Sequence, residues 1–135
     1  MLTEKLKSHF LNMYLIALSD SDFVEDEMKE ILKIGADKGI TEEEFHQIIM
    51  NPINVSFQIP NDTIEKIEYL FDFAKIIWAD GKVDEYEKRS LFNFCKKFDF
   101  DEDVAKELTE WLLKIAEEDI THEQLHIEID KLLKG

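Results

Sequence analysis

One cysteine in 135 residues, Cys95, excludes an internal disulfide and fits a reducing compartment. Prolines number two, Pro52 and Pro60, and both fall in one short stretch. No run approaches the roughly 20 apolar residues that a membrane-spanning helix needs. The N-terminal Met1-Leu2-Thr3-Glu4-Lys5-Leu6-Lys7 lacks the apolar core of a signal peptide. The expectation is a soluble, cytoplasmic protein with no direct membrane insertion. Basic residues are also scarce, 16 Lys and Arg against 31 Asp and Glu, for a net charge of −15. Nucleic acid demands clustered cations to neutralise its phosphates, and an anionic membrane surface demands the same, so neither is expected as a partner. A glycine-rich phosphate loop is missing as well. Alternation of period two, the mark of half-buried strands, is almost absent.

What the chain does have is apolar mass and a repeat. Hydrophobic residues make up 44%, with ten Phe and two Trp, enough for a core that needs neither disulfide nor metal. At this length roughly two-thirds of the unfolded surface is buried on folding. Phe10 to Asp20 aligns without a gap on Leu70 to Asp80, an offset of 60 residues. The pattern continues, with Asp20, Phe23, Glu25, Glu27, Ile31 and Ile34 over Asp80, Val83, Glu85, Glu87, Leu91 and Phe94. A repeat of this kind has to be found before any single element is read.

Helical periodicity fills both halves. Leu6, Phe10, Met13 and Ala17 trace one face, widened by Leu11, Tyr14, Leu15 and Leu18, which predicts burial on more than one side. Ile64, Ile67, Phe71, Ala74 and Trp78 do the same in the second half, so these two helices should form a central pair. Asp84 to Glu87, Thr41 to Glu44 and Thr121 to Gln124 each place a capping side chain three residues before Glu or Gln, the capping-box spacing; Asp22 to Glu25 is a fourth candidate. Gly39 and Gly81 supply helix stops. These signals predict helices near 3–18, 24–37, 41–50, 62–79, 84–98, 101–117 and 121–133. The expected fold is an all-α single domain of about seven helices, built from two pseudo-twofold-related repeats. Repeat one covers about 3–50, an ordered crossover 51–61, repeat two about 62–117, and a last helix about 121–133.

The segment Ile76-Ile77-Trp78-Ala79-Asp80-Gly81-Lys82-Val83-Asp84-Glu85-Tyr86-Glu87 resembles the signature of the TerB-like family, the all-helical tellurite-resistance module also similar to the N-terminal region of some membrane-anchored J-domain co-chaperones. With both halves present, the resemblance covers nearly the whole chain. It implies a part in stress response or metal handling, without a common reaction. The family's acids fall on Asp80 and Glu87, and in the first copy on Asp20 and Glu27. That copy departs from the pattern, with Ser21 where glycine is expected.

Asp80 is predicted at a helix C-terminus, where a carboxylate faces the negative pole. Two arrangements would offset that: hydrogen bonds to loop amides, or a cation held by Asp80 and Glu87 with Asp20 and Glu27. Oxygen ligands would suit calcium, magnesium or manganese. An EF-hand is excluded, since placing Gly81 at the turn position puts Ile76 and Trp78 where Asp or Asn must stand. His122-Glu123-Gln124-Leu125-His126 satisfies HExxH, with Asp130 one turn on. Yet Ile120 to His126 matches Ile40 to His46, so the motif reads as a capped amphipathic helix start. Cys95 lies on the Leu91, Phe94, Phe98 stripe and reads as a buried apolar thiol. No catalytic set emerges. The expected function is a non-enzymatic acidic helical interaction module docking a protein partner; the alternative is a divalent-metal-binding protein using the paired acids.

Overall fold

The described residues form seven helices: α1 Glu4–Ser19, α2 Glu25–Asp37, α3 Glu42–Met50, α4 Thr63–Trp78, α5 Glu85–Lys97, α6 Glu102–Glu117 and α7 His122–Lys134. The structure, a computed structural model, describes residues 3–19, 25–51, 57–79, 81, 83–118 and 120–134, without the side chains of 16–19, 25–27 and 122. Among the described residues there is no strand. Helix ends fall within one residue of those predicted from periodicity and capping signals. The fourth predicted capping box, at Asp22 to Glu25, lies outside the described residues.

α4 is the centre. Ile67, Leu70, Phe71, Phe73, Ala74, Ile76 and Ile77 are all buried along it, while Glu65, Lys66, Glu68 and Lys75 are only half-buried. A helix with so wide an apolar face has to be enclosed by several neighbours, and α4 packs against α1, α2, α5, α6 and α7. α1 contributes Phe10 and Met13 to the same core, but it is less enclosed than its sequence predicts: Leu15 is 48% exposed. α7 seats Leu125 and Ile129 against the bundle and leaves Ile127 and Leu133 outward.

Secondary structure repeats at the sequence offset. α2 and α5 both have 13 residues, with ends 60 positions apart, and α3 and α6 begin 60 apart. Contacts between α1 and α4 follow the same register. Lys5 pairs with Glu65, and the His9 ring stacks on Tyr69 with centroids 3.9 Å apart. Both pairs join residues 60 apart and advance in the same direction along the two helices, so α1 and α4 run parallel here. The long crossover joins α3 to α4. Its described end lies on the bundle: the Gln58 N–H donates to Ser8 Oγ at 2.9 Å, and Phe57 meets Phe98. The rotational relation of the halves remains an expectation from the sequence.

The helix stops are also shared. Gly39 has φ +80°, and the Ile40 N–H returns to the Gly35 carbonyl at 2.8 Å. Sixty residues on, Asp99 takes φ 70°, and the Phe100 N–H returns to the Cys95 carbonyl at 3.2 Å. A left-handed residue that closes a helix end is favourable for glycine and strained for most others. Asp99→Gly should therefore raise stability by about 0.5–1 kcal/mol, while Gly39→Ala should lower it by about 1 kcal/mol. Urea unfolding of the two variants checks both signs.

Candidate functional site

The start of α5 is held by a reciprocal pair of caps. Asp84 accepts the Glu87 N–H at 2.7 Å, and the Glu87 carboxylate accepts the Asp84 N–H at 3.3 Å, the reciprocal capping box. Glu87 is buried, at 1% exposure, so this carboxylate is an integral part of the helix start. Thr41 with Glu44 and Thr121 with Gln124 close the same box on α3 and α7. Ahead of Asp84, Gly81 takes φ +79°, and its N–H returns to the Trp78 carbonyl at 2.9 Å.

Of the four acids expected to meet, only Glu87 is described with its side chain. Asp80 and Asp20 lie outside the described residues. Glu27 is placed in α2, and its side chain lies outside them too. Among the described residues no group of three or more His, Cys, Asp or Glu side chains converges as metal ligands would. The HExxH residues are likewise part of a helix start. His126 faces Glu68 of α4 at 3.7 Å, and the side chain of His122 lies outside the description.

Two grooves flank Trp78. One, of about 380 Å³, is lined by Glu30, Lys75, Trp78, Gly81 and Glu117. The other, of about 340 Å³, lies among Trp78, Asp84, Lys88, Leu113, Lys114 and Glu117, with Glu85 and Glu110 at its edge. The Trp78 indole N–H donates to the Leu113 carbonyl at 2.7 Å, which fixes the ring between α4 and α6 while leaving it partly exposed. Lys75 pairs with Glu30 at 3.6 Å and Lys88 pairs with Glu110, so two of the three cations here are neutralised internally. The combined lining is acidic around an aromatic ring.

A second polar group is buried between the helices, and sequence periodicity did not find it. His9 and Asp72 are 2% and 4% exposed, and His9 Nε2 lies 2.8 Å from Asp72 Oδ2. Lys38, from the end of α2, reaches the same oxygen at 3.6 Å and stands over the Tyr69 ring. The signal was visible as an acid set inside the apolar run Leu70-Phe71-Asp72-Phe73. Its partners, 63 residues back and at another helix end, were not. Among the described residues His9 Nδ1 has no hydrogen-bond partner. Burial pushes the His9 imidazole below its ordinary value, against the upward pull of Asp72. Burial and the neighbouring Glu65 and Asp72 push the Tyr69 phenol up, while burial lifts the Cys95 thiol to about 11, so neither offers an anionic nucleophile at neutral pH.

Compared with protein-family models, curated proteins and solved structures, the chain finds no match. The site is read from its own geometry.

Two measurements follow from these networks. Asp84→Ala should remove the N-cap and lower stability by about 1 kcal/mol, a fall of roughly 4 °C in Tm. For His9, the folded value lies below the unfolded one near 6.5, so the unfolded chain binds more protons below that pH. The His9 contribution is complete above pH about 6.5 and declines as pH falls towards the folded value. Urea unfolding from pH 7.5 down to about 5 should show a steeper loss in wild type than in His9→Gln, which cannot titrate; parallel curves would contradict this assignment.

Proposed function

We propose that the protein is a non-enzymatic docking module of the TerB-like kind, taking a basic segment of a protein partner across the two grooves that flank Trp78. The observation that carries this reading is the shared lining. Trp78 and Glu117 border both grooves, and beside the Lys75–Glu30 and Lys88–Glu110 pairs the acids Asp84, Glu85 and Glu117 face Lys114 alone. A Lys or Arg side chain laid on the indole gains a cation–π contact, and a flanking carboxylate completes it. The net charge of −15 extends the attraction outward and favours encounter with a cationic partner. Reciprocal caps at the start of α5 hold the groove wall in place, so little ordering is needed on binding.

Binding should be weak and dependent on salt, as at small polar interfaces. A labelled peptide alternating Arg and Leu should bind wild type, and Glu117→Lys should weaken it about fivefold, roughly 1 kcal/mol. Asp130→Lys, which changes net charge equally on exposed α7, serves as the control. Fluorescence polarisation decides the matter. Equal losses in both variants would mean general charge attraction and would refute the site.

A further inference from the structure

The trough between α5 and α6 has the opposite character to the rest of the surface. Its volume is about 270 Å³, its lining is mostly apolar, and Lys88, Arg89 and Lys106 stand around it with Phe92 and Thr109. Arg89 is the sole arginine of the chain, and in a protein of net charge −15 it stands here beside other cations. Lys88 is occupied by Glu110, and Glu85 borders the same end. Arg89 and Lys106 are both exposed and make no ion pair among the described residues. Phe92, half-buried, forms the apolar floor, and the Lys96 ammonium stands 5.4 Å from the centre of its ring. Thr109 is buried, and its hydroxyl donates to the Ala105 carbonyl at 2.7 Å, so it closes the floor instead of offering a ligand group.

We infer that the α5–α6 trough is a second docking site, which takes an acidic segment of a partner protein with an apolar side chain on Phe92 and carboxylates on Arg89 and Lys106. Charge complementarity selects the occupant. A guanidinium with no internal partner presents a planar fork that fits a carboxylate with two parallel hydrogen bonds, and an ammonium nearby takes a second acid as a point charge. The trough is open to solvent along the two helices, which suits a length of chain better than an enclosed small molecule. Nucleic acid would bring its phosphates against the acid excess of the remaining surface. A second copy of this chain would bring another net −15. The site is independent of the Trp78 grooves in charge and in occupant, though Glu85 and the Lys88–Glu110 pair lie on the rim between them.

The probe is a fluorescein-labelled peptide, Glu-Glu-Leu-Phe-Glu-Glu, at about 0.15 M salt, where a Debye length of about 8 Å screens the distant negative field. Wild type should bind it, Arg89→Lys should weaken binding because the fork is lost, and Arg89→Glu/Lys106→Glu should weaken it at least about tenfold. The control Lys33→Glu/Lys134→Glu makes the same change in net charge at exposed positions on α2 and α7 and should leave binding within about twofold. Replacing the peptide's Leu and Phe by Ser should abolish it. All four substituted side chains are exposed, so folding is expected to survive, and circular dichroism verifies that it does. No binding up to about 1 mM peptide, or equal losses in the test and control variants, would overturn the proposal. So would sedimentation showing a dimer that the Arg89/Lys106 reversal dissolves, since the occupant would then be a second copy, or saturation of the trough by dodecanoate in preference to the peptide. The acidic probe and the Arg–Leu probe respond to different variants, so either site can fail alone.

Discussion

Burial of the Asp72 carboxylate among the core residues of α4 constrains three helices at once. The wide apolar face of α4 must be covered, yet the helix also buries an acid that cannot enter the core without hydrogen bonds and a counter-charge. His9 of α1 meets one need and Lys38 at the end of α2 the other, both at the same oxygen. Stacking of His9 on Tyr69 then fixes the imidazole plane, and the Lys38 ammonium stands over the far ring. A slide of α1 along α4 by one turn would separate His9 from both Asp72 and Tyr69 and leave the buried carboxylate without that hydrogen bond. Apolar packing alone tolerates such slips more readily, because one aliphatic contact replaces another. The polar cluster therefore sets register where hydrophobicity sets only proximity.

That division explains what was legible in the sequence. Helix starts were readable because a capping box is local: Thr41 with Glu44 and Asp84 with Glu87 announce themselves within four residues. The repeat was readable because periodicity survives substitution, so Gly39 and Asp99 can fill one backbone role with different side chains. Asp99 itself was not readable as a left-handed stop, since aspartate in an acidic stretch is usually a solvated cap. The long-range partners of Asp72 were beyond any local signal. Nor did spacing distinguish the two roles expected of this acid: Glu87 is buried in a capping box, a role shared by the half-buried Glu44 on α3. Candidate grooves belong to this class too, for Trp78 and Glu117 meet only when α4 and α6 pack.

Electrostatics divides the surface in a way composition could not reveal. Lys5, Lys7, Lys38, Lys75, Lys88 and Lys131 each sit within 4 Å of an acid on the same chain. Most of these pairs are at least partly exposed and contribute only about 0–1 kcal/mol each. Their larger consequence is local, since each occupies a cation that could otherwise meet the acid of a partner. Cations left without an acid partner then matter out of proportion to their number, and Arg89 and Lys106 share one trough. The negative field and the local positive trough act over different distances. At physiological ionic strength, charge beyond about 8 Å is largely screened, while contacts inside a groove are not.

Range orders the two proposed sites in time. A cationic segment docking as proposed would be drawn in from a distance and then settle on Trp78, so its association would be fast and salt-dependent. An acidic segment would be repelled at long range and held only after contact, through the Arg89 fork and the apolar floor of Phe92. Its association would be slow at low salt, with its specificity in the contact itself. A partner carrying both kinds of segment would engage the Trp78 grooves first and the α5–α6 trough second, with the tether supplying the local concentration that the net charge denies. The rim shared by the two grooves, Glu85 with the Lys88–Glu110 pair, lies where such a chain would cross from one to the other.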